Sequence, residues 1–286
     1  MHDFIYQRPS SLVEAHGLAV KHGAMLLAGG QSLLRDMKRG LRSASTLVDI
    51  TGLIPNRIER RDNTILIGAG ATHAEVASSV ILREHLPVLA ELVGHIGDPA
   101  VRHRGTLGGA IAANEIAGDY PAACLALDST VHTTVREIAA KDFFIGNCKT
   151  ALAPGEIVTA VSFRIRARSA YIKFLNPAAR YAVVGVFAAS ANTGSTRIAI
   201  TGAHRNGAFR WLQAEVALST GFEAHRLSDV RLSPDGLVED LFADSVYRGH
   251  LAYVLTCRAV GLATAHNQRV MVISHGSPFD VAKFET

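Results

Sequence analysis

The stretches "LLAGGQSLL" (26–34) and "RGTLGGAI" (104–111) constrain this chain more than any other feature. Each sets a glycine pair beside a small hydroxyl residue, Ser32 or Thr106, at the junction of an apolar run and a helix-forming segment. Glycine lets backbone pass close to another group or take a positive φ, so such a loop can converge several N–H groups on an anion at a helix N-terminus. One loop of this kind is more often only a tight turn. A second, about 75 residues downstream, suits a ligand with two phosphates gripped from opposite sides.

Familiar nucleotide motifs do not fit either loop. "GGQSLLRDMKRG" is not GxxxxGK[ST], which argues against an ATP-binding P-loop. "GAGATH" (68–73) begins like GxGxxG, but His73 takes the sixth place and Thr72, with Glu75 three residues on, reads as a helix cap. Ser32 has no G-x-S-x-G context for a hydrolase, and the thirteen histidines show no HExxH spacing. His73, His85 and His95 are read as structural, and Asp98 and Asp119 as too separated to be an acid–base couple.

Hydrophobic periodicity supplies the rest of the layout. Ser11 and Glu14 suggest a capping box for an amphipathic helix over "SSLVEAHGLAVKHG". "AMLLA" (24–28) and "TLVDI" (46–50) read as strands around a short helix at "LLRDMKR"; "GLIPNRIERRDN" reads as a turn region leading to the strand "TILIGA" (64–69). Helices are expected from Thr72, over "LPVLAELVGHI" and from Asp119 to Leu127, and strands over "STVHTTV" and "GEIVTAVSFRI". From about Ser169, three consecutive strands ("AYIKFL", "RYAVVGVFAAS", "STRIAITGA") precede helices at 209–219 and 247–265, which argues for an antiparallel α+β unit rather than a doubly wound sheet. The ending, "QRVMVISHGSPFDVAKFET", fits no pattern and is read as a tail or a subunit contact.

Composition narrows the class. With 286 residues, 48% hydrophobic and 19% charged, the chain can bury a sizeable core. The net charge of +4 is spread along the sequence, and its densest basic spot, Arg102–Arg104, has no aromatic partners, so nucleic-acid binding is not expected. Cys124, Cys148 and Cys257 are odd in number and far apart, without a CxxC pair, which points to a reducing compartment and to no metal or iron–sulfur site on this chain. The polar start and the lack of a long apolar run predict neither export nor membrane spanning, hence a cytoplasmic protein.

Taken in order and spacing, "LLAGGQSLL", "LVDI", "IGDPAVRHRGTLGGAIAAN", "GDYPAACLALDS", "APGEIVTAVSF", "KFLNPAARYAVVGVFAA" and "YRGHLAYVLTCRAV" resemble the FAD-binding medium subunits of molybdenum hydroxylases, of the carbon monoxide dehydrogenase and nicotine and quinoline dehydrogenase type. The resemblance runs to about residue 265. It implies an α+β fold: a two-lobed FAD-binding domain of the PCMH type over 1–168, with subdomains of about 1–53 and 54–168, then an antiparallel sheet-plus-helices domain over 169–286. It further implies that the two loops embrace the FAD pyrophosphate through Ala28, Gly29, Gly30, Gln31 and Ser32 and through Thr106, Leu107, Gly108, Gly109 and Ala110. By the same resemblance Asp119 hydrogen-bonds ribityl or ribose hydroxyls, while Tyr181 and Lys173 lie close to the isoalloxazine. Read without it, Asp119 is a helix N-cap, Tyr181 a strand aromatic and Lys173 a solvated strand charge.

In such a complex the molybdopterin cofactor sits on a large subunit and two [2Fe–2S] clusters on a small one, the assembly is a dimer of heterotrimers, and this chain's FAD hands electrons to an external acceptor. The chain departs from the pattern at Glu115-Ile116, where relatives carry Asp-Pro, and at Arg180, where the carbon monoxide enzyme has an acid. A self-contained FAD-dependent oxidoreductase and a flavin-free assembly subunit are the readings from other classes; the first needs its own acid or base at a substrate pocket, the second is opposed by two intact loops.

Overall fold

The structure is a computed structural model and describes residues 3–176, 180–191, 194–266 and 269–274. The chain begins with a small parallel sheet, β1 (Ile5–Gln7), α1 (Leu12–Ala19), β2 (Ala24–Leu27), α2 (Leu33–Lys38) and β3 (Thr46–Asp49), in strand order β1-β3-β2. Ser11 caps α1 by accepting from the Glu14 N–H, but the Glu14 carboxylate turns to the backbone and hydroxyl of Ser10, so only half of the expected capping box forms.

The next unit runs through β4 (Ile58–Arg61), β5 (Thr64–Gly68), α3 (His73–Ser78), α4 (Val80–His85), α5 (Pro87–Gly94), α6 (Pro99–Arg102), α7 (Leu107–Ala113) and α8 (Asp119–Ala126). It closes with β6 (Thr130–Thr133), β7 (Glu137–Ala139), α9 (Ala140–Phe143), the hairpin β8 (Phe144–Gly146) and β9 (Lys149–Thr150), and β10 (Val158–Arg164). Its antiparallel sheet has the order β4-β5-β10-β6-β7. The segment read as a plain turn supplies β4: "IERR" is a charged edge strand, and Asp62, at φ 51°, makes the tight return to β5. Gly68 and Gly70, the start of "GAGATH", are glycines because the chain crosses itself; a Cβ on either would stand 2.3 Å from the Pro55 carbonyl oxygen or 2.5 Å from that of Ile54. Thr72 then caps α3 with the complete reciprocal box to Glu75.

The last unit holds β11 (Arg168–Leu175), β12 (Ala182–Ser190), β13 (Thr196–Thr201), β14 (Phe209–Arg210), α10 (Leu212–Ala217), α11 (Ser245–His266) and β15 (Arg269–Ser274), with sheet order β14-β13-β12-β11-β15. Neighbours are antiparallel except β15, which lies parallel to β11. "RVMVIS", unassigned from sequence, is therefore an edge strand; residues 275–286 lie outside the described residues. Both faces of this sheet are covered, so every residue of β12 is buried. Ala170 and Ile172 pack into the core under α10 and α11, whereas Tyr171, Phe187 and Ala199 join the core formed by α5, α8, β5 and β10.

Candidate functional site: a cleft between two glycine loops

A cavity of about 900 Å³ opens where β2, α3, α7 and the 152–158 segment meet, and both glycine loops line it. The loops touch each other. A Cβ on Gly29 would lie 1.9 Å from the Arg104 carbonyl oxygen, so glycine here serves the contact between the two loops. Gly30 adopts φ +75°, which turns the chain into α2. Among the described residues, the N–H groups of Gly30, Gln31, Ser32 and Leu33 have no acceptor in the protein, and the Ser32 hydroxyl makes no cap. Four orphan donors beside a helix start make a natural anion seat.

The second loop is built differently. Its first two helical N–H groups are spent on the protein, Leu107 to the Ala71 carbonyl at 2.9 Å and Gly108 to that of Ala69 at 2.8 Å. The Gly109 N–H donates to the Thr106 hydroxyl at 3.1 Å. Leu107 is fully buried and does not line the cleft; Gly108 is glycine because its Cβ would collide with that of Ala69 at 2.7 Å. At Gly109 an added Cβ would meet only the Thr106 hydroxyl oxygen, at 3.0 Å. Of the paired glycines, Gly109 is the one whose missing side chain leaves the cleft open rather than serving the fold.

Electrostatics favour an anion. Lys21, Arg42 and Arg104 line the cleft, and its two carboxylates are already engaged. Glu75 accepts from the Thr72 backbone and hydroxyl and from Asn56. Hydrogen bonds from Arg136 hold the Glu156 carboxyl down at about 2 despite its burial, with further bonds from the Ala153 N–H and the Thr133 hydroxyl. His73, 4% exposed, also lines the cleft; burial, then the Arg102 charge, pushes its pKa down to about 4, and its Nδ1 has no partner. The cleft thus presents bare donors, net positive charge and one smooth glycine wall to a diphosphate, and the residues present fit such a group.

The structure brings Ala28, Gly29, Gly30, Gln31, Ser32, Thr106, Gly108, Gly109 and Ala110 to this cleft. Leu107, Asp119, Lys173 and Tyr181 lie off its lining. Lys173 is not a solvated strand charge: 1% exposed, its Nζ donates at 2.8 Å to Asp119, whose other oxygen accepts from the Tyr171 hydroxyl. Gly185 on β12 makes room for that hydroxyl, 2.4 Å from where a Cβ would be. Asp119 is the first residue of α8, whose cap is Gly118, so it stands inside the helix rather than capping it. Tyr181 is 41% exposed and its hydroxyl accepts from Arg35, which also pairs with Glu115 at 2.8 Å. Sequence reading missed Arg35; it read His73 as structural and Arg104 only as part of a basic spot, and both line the cleft; Glu115 was marked as a departure, without its partner.

Other constellations carry less. His132 accepts or donates to Ser162 at 2.6 Å and meets Glu137 at 3.2 Å, but this string runs across neighbouring strands, away from the cleft. Asp98 caps α6 by accepting from the Val101 N–H, whereas Asp119 is engaged by Lys173 and Tyr171. No group of three or more His, Cys, Asp or Glu among the described residues is placed to hold a metal, and no helix among them is long and apolar enough to cross a membrane.

Comparison with known proteins completes the picture. Residues 2–163 match the family described as the FAD binding domain in molybdopterin dehydrogenase. The nicotine 6-hydroxylase medium subunit of Paenarthrobacter nicotinovorans is 34% identical over 69% of this chain and 74% of its own length. The carbon monoxide dehydrogenase medium chain of Hydrogenophaga pseudoflava is 32% identical over 92% of this chain and 97% of its own. Among solved structures, carbon monoxide dehydrogenase from that organism matches with a TM-score of 0.82 at 29% identity, covering 92% of this chain and 98% of that one. Quinoline 2-oxidoreductase from Pseudomonas putida 86 matches with a TM-score of 0.82 at 26% identity, covering 93% and 99%.

Proposed function

This chain belongs to the family of FAD-binding domains in molybdopterin dehydrogenases, and from that premise we propose that it is the flavin-carrying electron-transfer subunit of a multi-subunit molybdenum hydroxylase. It takes electrons from [2Fe–2S] clusters on a small partner subunit, reduced in turn by a molybdopterin-bearing large subunit, and delivers them to an external acceptor. The assembly we propose is a dimer of heterotrimers in the cytoplasm, with this chain divided into an FAD-binding unit, 1–168 (subdomains of about 1–53 and 54–168), and a C-terminal unit, 169–286. One observation carries the reading: four unclaimed N–H groups, Gly30 to Leu33, face a cleft of about 900 Å³ whose other wall is the bare Gly109.

FAD, when bound, supplies the redox chemistry, and the chain supplies binding, orientation and electrostatics. The N–H groups and hydroxyl of residues 30–33 hold one side of the diphosphate, while Thr106, Gly109 and Ala110 close on the other. Arg104, Lys21 and Arg42 offset its charge. Asp119 and Lys173 act from behind, by fixing α8 against β11, because Lys173 donates to one Asp119 oxygen while the Tyr171 hydroxyl donates to the other. Nothing in this arrangement asks a side chain of the cleft to abstract a proton.

The test is the visible spectrum of the full chain, wild type and Gly109→Val, purified with and without added FAD. Gly109 is the right position because the change fills the cleft while meeting only Thr106, whereas a side chain at Gly30 would be strained at φ +75° and meet Leu34 at 2.8 Å. The expected result is a bound oxidised-flavin spectrum in the wild type that disappears in a folded Gly109→Val. A wild type that binds no FAD, even when co-expressed with its partner subunits, overturns the reading in favour of a flavin-free assembly subunit.

A further inference from the structure

Tyr181 stands where three separate parts of the chain meet. Its backbone pairs with Asn176, whose N–H donates to the Tyr181 carbonyl at 2.8 Å, and the Arg180 N–H donates to the Asn176 carbonyl at 2.9 Å, with Arg180 at φ 58°. Its hydroxyl accepts from Nη1 of Arg35, and the guanidinium carbon lies 6.0 Å from the ring centroid. Arg35 belongs to α2, just past the first glycine loop, and its Nη2 donates to Glu115 at 2.8 Å and to Asp36 at 3.0 Å. Glu115 follows α7 by two residues, and Ala112 and Ala113 at the end of that helix are cleft residues. One planar cation thus ties the first loop, the second loop and the C-terminal sheet together.

The chemistry of the trio fixes its direction. A guanidinium can only donate, so the Tyr181 hydroxyl is the acceptor in this bond, and its own proton has no acceptor among the described residues. Burial tends to discharge Arg35, but the hydrogen bond and charge of Glu115 outweigh it and hold the cation firmly protonated. Burial, then the Glu115 charge, likewise keeps the Tyr181 hydroxyl protonated. Ala112 and Ala113 line the cleft and Glu115 follows them by two residues, so the trio stands just beyond the α7 end of the cleft, where one arm of a ligand whose diphosphate sits at the two loops would pass.

We propose that Arg35 is a positioning residue: tied to Glu115, it holds the Tyr181 ring against the isoalloxazine end of the bound FAD. This rests on the reading of the chain as an FAD carrier. It also gives Glu115, the departure from the relatives' pattern, a definite task, because the longer acid reaches across to an arginine on α2. Glu115 neutralises the guanidinium and aims it, and Arg35 in turn aims the tyrosine.

An aromatic ring in contact with a flavin quenches its fluorescence, which provides a readout independent of turnover. The experiment compares emission per bound FAD in the full chain for wild type, Arg35→Ala, Arg35→Lys, Glu115→Gln, Tyr181→Leu and the double variant Arg35→Ala/Tyr181→Leu, with FAD stoichiometry and melting temperature measured on each. Arg35→Ala is expected to bind FAD at full stoichiometry and raise emission several-fold, as Tyr181→Leu does, with no further rise in the double variant, since the two act as one unit. Arg35→Lys, with one head for two partners, restores the quench only in part. The proposal is overturned if Arg35→Ala lowers the melting temperature but leaves emission unchanged, which marks a purely structural tie, or if the two single effects add. Loss of FAD from Arg35→Ala alone overturns it too, by making Arg35 a binding residue; a wild type without FAD removes the carrier reading and this inference with it.

Discussion

At the scale of single residues, the two glycine loops show what sequence conveys and what it conceals. Their presence and pairing were legible, because only glycine tolerates the close approach. Which glycine serves what was not: Gly29 and Gly108 answer to protein atoms and Gly30 to its positive φ, whereas a Cβ at Gly109 would meet only the Thr106 hydroxyl, a distinction that depends on backbone brought in from elsewhere. His73 carries a further consequence. It is neutral in the folded chain down to about pH 4, whereas in the unfolded chain it takes up a proton near 6.5. Unfolding therefore binds a proton within that window, so stability is fully present above about 6.5 and falls as the pH drops toward 4. The slope is up to about 1.4 kcal/mol per pH unit, about 3 kcal/mol in all. Against wild type in the same cofactor state, His73→Phe is expected to flatten the dependence of the urea midpoint on pH between 6.5 and 4; parallel curves for the two proteins would exclude the assignment.

At the scale of elements, the caps behaved unequally. Both Ser11/Glu14 and Thr72/Glu75 carry the right residues at the right spacing, but only the second closes reciprocally, because at α1 the neighbouring Ser10 offers Glu14 both a backbone N–H and a hydroxyl. Thr72→Ala is accordingly expected to cost about 1 kcal/mol in urea unfolding, near the centre of the range for N-caps, and Ser11→Ala less. Equal losses would show that the reciprocal bond adds nothing. Two strands that went unread lie at sheet edges. β4 is a charged edge strand whose alternation is masked by arginines, and β15 is a strand only because β11, about 100 residues earlier, offers it a parallel edge.

At the scale of the whole molecule, the C-terminal sheet is the shared wall of two cores, and its charge pair lies in the seam. The sequence shows Lys173 alternating with apolar neighbours on β11, but it does not say that the face it shares with Tyr171 is covered by α8. Lys173→Met is expected to destabilise the chain by about 3–5 kcal/mol, because Asp119 is left as a buried, uncompensated charge. Lys173→Met/Asp119→Leu should recover a good part of that loss; a double variant as unstable as the single one would mean that the cost lies in packing rather than charge. The contact of Gly29 with Arg104 bears on the order of events in the cell. The first loop leaves the ribosome about 75 residues before the second, which at about 5–20 residues per second is a delay of about 4–15 s. Throughout that interval half of the cleft exists without its other wall, so a nascent chain cannot retain its cofactor, and loading has to follow translation of at least the first 110 residues.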